Sequence, residues 1–134
     1  MGNSKWSRFN KARASRSDRG VLTKPEREFS ESLERRRWAG EVLWYEEHPL
    51  SLRLGHSLRY EPDFVALIST EDGTHLEVYE VKPSAGWRLD SESRTKFVAA
   101  VERFPFLTFV CATQRRKKDG GGFDEVVYPP RRAV

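Results

Sequence analysis

The sequence predicts an α/β fold, a single domain with a mixed central β-sheet flanked by helices. Three observations lead there. Apolar residues gather in short runs (VLWY, FVALI, LEVYEV, FVAAV and FPFLTFVCA) separated by polar, turn-forming stretches. Two segments carry helix start and stop signals, and strand-like runs lie on both sides of the second one. At 134 residues the chain suits one domain rather than two.

Residues 1–22 are rich in Ser, Arg, Lys and Asn without an apolar period, which predicts a basic flexible arm with Trp6 and Phe9 as anchors. The domain itself is expected over residues 23–134. In "TKPEREFSESLERRRWAG", Thr23 is a fitting N-cap, Pro25 lies in the first turn, acids come early and arginines late, and Gly40 is a stop. Glu26, Phe29 and Leu33 share one helical face, with Glu26 at the edge of the buried stripe. Strand-like pieces follow: "EVLWYEEHP", "LSLRL" and "LRYEPDFVALI", then a turn "EDG" at 71–73 into "HLEVYEVK". Trp44 and Tyr45 are expected in the core or at its edge. Pro62 suits a strand start or an edge, where a missing N–H does no harm, and Pro83 closes the hairpin. A second helix is expected from about Ser91 to Phe104. Phe97, Val101 and Phe104 line its face with Val98 beside them, which turns Arg94 inward and Lys96 outward. "PFLTFVCAT" reads as a buried strand, "DGGG" as a flexible loop and "DEVVYPP" as a last short strand.

Charged residues make up 33% of the chain and hydrophobic ones 37%, so the core has to come from those few runs. The net charge is +4, but its distribution says more. Basic residues crowd the first 24 positions, "QRRKK" (Arg115, Arg116, Lys117 and Lys118 after Gln114) and the pair at 131–132. Basic ends around a mixed-charge centre point to a polyanion, with a merely solvated tail as the plainer reading. The single Cys111 lies inside an apolar run, which excludes an internal disulfide and predicts a buried, inert thiol. No apolar stretch reaches membrane-spanning length and no secretory h-region is present, so a soluble cytoplasmic protein is expected. His48, His56 and His75 lack metal-ligand spacing and predict surface or turn roles. The "DGGG" loop lacks the Lys-Ser/Thr of a P-loop, so nucleoside triphosphate binding is not indicated.

The chemistry concentrates in "YEPDFVALISTEDGTHLEVYEVKP". Side chains alternate along a strand, so Glu80 and Lys82 share a face while Val81 takes the other. The turn near residue 72 brings Asp63 roughly opposite Glu80. Two carboxylates so placed repel one another and cannot comfortably both ionise without a cation. Mg²⁺, with Mn²⁺ as substitute, prefers one or two carboxylates, retained waters and a phosphate oxygen. Lys82 would hold or activate a water, and Glu26 would add a ligand. The competing reading is a structural Glu80–Lys82 or Asp63–Lys82 ion pair. Trp87 stands in a loop beside the site, suited to stack on a base or to serve as a hydrophobic plug. Arg94 is equally suited to a phosphate or to an ion pair.

The pattern of Glu26, Pro62-Asp63 and Glu80-Val81-Lys82 on helix, strand and strand resembles the PD-(D/E)XK nuclease superfamily. Within it, "YEPDF", "DG" and "YEVKP" look like TnsA-like transposon endonucleases and small phage nucleases related to Holliday-junction resolvases. The likeness spans about residues 23–112. It implies a restriction-endonuclease-like fold and a Mg²⁺-dependent DNA endonuclease leaving a 5′-phosphate and a 3′-hydroxyl. Asp63, Glu80, the Val81 carbonyl and Glu26 would bind the metal, and Lys82 would assist catalysis. His48 departs from the pattern, standing where a Gln is common before the Pro. With no second domain expected, the resemblance points to a free-standing phage or mobile-element enzyme of recombination, replication or packaging, in the cytoplasm of a bacterial host. Its partners would be DNA, bound through Arg94, Trp87 and the 115–118 cluster, a second copy in a homodimer, and phage or transposition proteins. A non-catalytic nucleic-acid-binding or assembly module is the alternative. A two-carboxylate glycosidase fits less well, since Lys82 lies between the acids.

Overall fold

The computed structural model describes residues 21–131 apart from residue 90. The basic arm expected over 1–22, with Trp6 and Phe9, therefore lies outside the described residues except for its last two positions. The first element is helix α1 (Lys24–Trp38), which opens on the expected signal. The Thr23 hydroxyl accepts from the Glu26 N–H and the Glu26 carboxylate accepts from the Thr23 N–H, a reciprocal capping box. Ala39 caps the other end, and Gly40 follows at φ +85°, a left-handed turn that favours glycine.

Strands β1 (Val42–Glu47), β2 (Leu52–Arg53), β3 (Arg59–Tyr60), β4 (Phe64–Thr70) and β5 (Gly73–Lys82) come next. Helix α2 (Ser91–Arg103) then crosses back to β6 (Thr108–Gln114), and β7 (Phe123–Tyr128) ends the fold. Five strands form one sheet in the order β1-β4-β5-β6-β7, while β2 and β3 make a separate two-stranded ribbon. β5 and β6 run parallel and every other pair in the main sheet is antiparallel, so the sheet is mixed, as expected. A parallel neighbour needs a crossover, which α2 supplies. α1 packs on one face through Phe29 and Leu33, against Phe64, Tyr79, Val81 and Val110. α2 packs on the other through Phe97 and Ala100, against Val65, Val78, Phe109 and Cys111. Among the described residues no helix is long and apolar enough to cross a membrane.

Three local expectations give way. "LRYEPDFVALI" is not one strand: Arg59–Tyr60 pairs with β2, and the main sheet resumes only at Phe64. Pro62, without an N–H, separates the two pieces and is itself buried. Tyr45 packs at the edge of the core as expected, but Trp44 is 43% exposed, because an irregularity between Val42 and Trp44 shifts the register of β1 on β4. In α2 the buried stripe runs through Phe97 and Ala100, leaving Val98 45% exposed. Val101 and Phe104 still pack on that core as expected, so the face is kept and only its edge shifts from Val98 toward Ala100.

Candidate functional site

The hairpin of β4 and β5 pairs Phe64 with Tyr79. Asp63 lies just before β4, outside that ladder, and its carboxyl shares a hydrogen bond with Glu80. The Asp63 N–H donates to the Tyr79 carbonyl at 3.0 Å, and the Val81 N–H donates to Asp63 Oδ2 at 2.7 Å. Asp63 is thus fixed at both its backbone and its carboxylate by the end of β5. Val81 contributes this N–H, while its side chain belongs to the core on the α1 face.

Glu80 and Lys82 share the α2 face, both 6% exposed. Glu80 accepts from the Tyr60 hydroxyl at 2.5 Å through one oxygen, and its other oxygen lies 3.3 Å from Lys82 Nζ. The same ammonium sits 4.4 Å above the centre of the Trp87 ring, a cation–π contact. Trp87 in turn packs on Phe97 at 5.5 Å between ring centres. Of the two sequence readings of Trp87, the structure favours a packed residue that also orients Lys82.

The electrostatics follow from burial. Desolvation and the neighbouring Glu80 push the Asp63 carboxyl well above its usual range, against the opposing Val81 N–H, and the Glu26 charge adds to the rise. Burial also raises Glu80, opposed by the Tyr60 hydroxyl and by Lys82. Burial and the Glu80 charge push the Tyr60 hydroxyl well above its ordinary range, so Tyr60 remains a donor.

Glu26 approaches by a different route from the one its helical face suggested. α1 covers the opposite face of the sheet from Glu80, yet its first turn brings Glu26 close to Asp63. One Glu26 oxygen serves the capping box and the other lies 3.2 Å from His48 Nε2. His48, expected at a surface or turn without a partner role, donates its backbone N–H to the Asp63 carbonyl at 2.9 Å. One ligand atom each from Glu26, His48 and Asp63 lie within 4.8 Å of one another. The Glu26 bond raises the affinity of His48 for its proton, against burial. Burial works to raise Glu26, but its bonds to His48 and Thr23 outweigh that and hold it below the usual range.

A cleft of about 380 Å³ opens over Asp63 and Glu80, walled by Arg59, Tyr60, Glu61, Ser93 and Lys96. Here Arg94 and Lys96 exchange their expected places. Arg94 is exposed outside this wall, whereas Lys96 lines it and pairs with Glu92 at 3.5 Å. The shift of the buried stripe toward Ala100 turns the Ser93–Lys96 flank toward the acids. A second groove, of about 660 Å³, begins two residues past Lys82, at Ser84, and is lined by Arg88, Arg115 and Arg116. Arg115 lies 3.7 Å from Asp124 of β7 and Arg116 lies 2.8 Å from Asp119, so both arginines are partly engaged by neighbouring acids. Lys117 and Lys118 are exposed on the adjoining helical turn. Cys111 is buried, and burial pushes its thiol up, which fits an inert role.

The site therefore gathers Asp63, Glu80, Val81 and Lys82, joins Glu26 through His48 and Trp87 through Lys82, and leaves Arg94 out. Tyr60, Lys96 and Arg59 are the additions that the sequence reading lacked. Tyr60 had a local signal, being three residues before Asp63 in a short apolar-flanked strand. Lys96 had none, since its position depends on how α2 rotates. No family model, curated protein or solved structure matches this chain.

Proposed function

We propose that the chain is a divalent-cation-dependent DNA endonuclease on a restriction-endonuclease-like fold. The observation that carries the proposal is the meeting of the Asp63 and Glu80 carboxyls in one cleft, with Lys82 on Glu80, at the carboxyl end of β5, which runs parallel to β6. In open α/β sheets those strand ends are where ligands bind. The motif resemblance supports the same reading.

The donor set fits a hard cation. Lys82 meets Glu80 and His48 meets Glu26, while the Asp63 carboxyl accepts the Val81 N–H and shares a hydrogen bond with Glu80, with no cationic side chain at salt-bridge distance from it among the described residues. Carboxylate oxygens are the ligands Mg²⁺ or Mn²⁺ prefers. Asp63 and Glu80 would hold the ion. When bound, it supplies charge neutralisation and polarisation of a phosphodiester oxygen. The residues of the chain do the rest. Arg59 and Lys96, at the cleft wall, favour entry of a phosphate, and the Arg88–Arg115–Arg116 groove suits the neighbouring backbone. Lys82, buried and held by Glu80 and Trp87, would assist by offsetting charge as the hydrolytic water meets the phosphate. Hydrolysis then joins the water oxygen to phosphorus and breaks the bond to the 3′ oxygen, which takes up a proton to leave a 3′-hydroxyl opposite a 5′-phosphate.

The test is a cleavage panel of junction, flap, nicked, linear and single-stranded DNA with Mg²⁺ or Mn²⁺. Cutting should disappear with EDTA and fall at least ~100-fold in Asp63→Asn and Glu80→Gln. Equal rates in parent and both variants would refute the site. A second reading, a non-catalytic nucleic-acid-binding module, draws on the buried Lys82–Glu80 pair, which by itself is a structural ion pair. It predicts salt-sensitive DNA binding with no cleavage of any substrate in the panel.

A further inference from the structure

We propose that the outer edge of β7 pairs antiparallel with β7 of a second copy of this chain, so that one sheet runs through both copies and two Asp63–Glu80 clefts open on the same face. The pairing stands on the strand itself, and only the use of the two clefts rests on the proposed function.

β1 and β7 are the edges of the main sheet. An open edge presents unpaired N–H and C=O groups that invite another strand, and proteins blunt such edges with bulges and charges. β1 is blunted in this way: its register breaks between Val42 and Trp44, and it ends in Glu46 and Glu47. β7 instead keeps an unbroken register with β6 from Phe123 to Tyr128, and exposes Val126 at 55% and Val127 at 52%. Among the described residues no strand pairs with its outer side.

The hydrogen bonds decide which groups that edge offers. At the end of the β6–β7 ladder the Arg115 N–H donates to the Gly122 carbonyl at 2.9 Å. Bonds alternate along an antiparallel ladder. Asp124, Val126 and Tyr128 therefore bond inward to β6, while the N–H and C=O groups of Phe123, Glu125 and Val127 point outward. Side chains alternate as well. Phe123 joins the core on the α1 face and Tyr128 meets Phe97 at 5.3 Å between ring centres on the α2 face, which puts Val126 on the α2 face.

The strand matches itself about Val126. A two-fold axis there sets Val126 against its own copy, Glu125 against the partner's Val127 and Asp124 against the partner's Tyr128. Residues 124–128 then overlap, and no carboxylate faces another. An axis through Glu125 would set two glutamates face to face, and one through Val127 would shorten the overlap to residues 126–128. The two acids of β7 also disfavour a nucleic acid on this edge, and the match of the strand to itself argues for a second copy.

This register fixes where the clefts fall. Glu80, Cys111 and Val126 stand in one row across β5, β6 and β7. Continued through the axis, the row reaches the partner's Glu80 after five strand steps, about 24 Å at the usual spacing between strands. The axis is perpendicular to the sheet, so both α2 faces turn the same way. On the proposed function, the paired clefts act on two strands of one symmetric DNA.

The experiment is sedimentation of the full chain across a dilution series. The parent should sediment at twice its 15.6 kDa mass and dissociate on dilution. Val126→Lys, which sets two ammonium groups against each other, and Val127→Pro, which removes an outward N–H, should each weaken the dimer at least ~tenfold without changing the circular dichroism. Leu43→Lys, on the opposite edge strand, should leave the dimer as in the parent. Directly facing residues of this kind have Cα atoms ~4.5 Å apart, within reach of a disulfide. Val126→Cys in a Cys111→Ala background should therefore oxidise to a covalent dimer, whereas Asp124→Cys in the same background should not. A parent that stays monomeric, a dimer that survives both β7 substitutions, or equal cross-linking at the two cysteine positions would overturn the pairing. Cleavage of DNA by a monomer would then leave the endonuclease reading standing. A β7-dependent dimer that cuts no DNA would keep the interface and sink that reading.

Discussion

Tyrosine meets glutamate on both faces of β5, and the two contacts differ in what surrounds them. On the α1 face the Tyr79 hydroxyl donates to Glu77, whose other oxygen lies 2.8 Å from His75 Nε2. Arg36 reaches the same hydroxyl at 3.5 Å and Glu41 at 3.2 Å. On the α2 face Tyr60 donates to Glu80, which also meets Lys82, but a further carboxyl, Asp63, shares a hydrogen bond with it. The first network opens to water, with His75 40% and Glu41 62% exposed in their side chains, whereas Glu80 and Lys82 are each 8% exposed. Acid that reaches solvent is screened. Acid held under a helix is screened far less, and on the proposed function a cation offsets that charge on the α2 face.

The contrast can be broken most forcefully at Lys82. Removing one partner of a buried pair leaves the other charge stranded, so Lys82→Ala should destabilise the protein by ~3–5 kcal/mol in denaturant unfolding. A loss under ~1 kcal/mol would mean that Glu80 is far better solvated than its burial implies. On the opposite face, Tyr79→Phe removes one hydroxyl from a network with other partners, and a smaller loss of ~1–2 kcal/mol is expected by the same measurement.

Asp63→Asn sharpens the comparison through its sign. The folded Asp63 carboxyl holds its proton more tightly than the unfolded one. Its contribution to stability is therefore fully present below the unfolded value, near 3.8, and is lost as pH rises through the elevated folded value. At pH 8 without divalent ions, Asp63→Asn should thus be more stable than the parent, by about 1 kcal/mol, and the advantage should vanish toward pH 4. Thermal melts across that pH range provide the check.

Much of this was legible in the sequence, where local chemistry decided the outcome. The Thr23–Glu26 capping signal, the turn at 71–73 and the alternation of "EVYEVK" each act over a few residues, and the structure keeps all three. The closeness of Asp63 and Glu80 was legible from the same short hairpin. What escaped depended on tertiary placement. The edge of the α2 face, shifted toward Ala100, decided between Arg94 and Lys96. His48 carried no ligand spacing because its neighbours Glu26 and Asp63 come from other elements, and Tyr60 entered the site only once Pro62 had split its strand from β4.

Thermal unfolding at pH 8 with increasing Mg²⁺ or Mn²⁺, for the parent and for Asp63→Asn, tests the central claim most directly. The account predicts a melting temperature that climbs by several degrees in the parent as the ion passes its dissociation constant, and one that stays flat in the variant. Equal responses in the two proteins, or none in the parent, would contradict a cation held between Asp63 and Glu80.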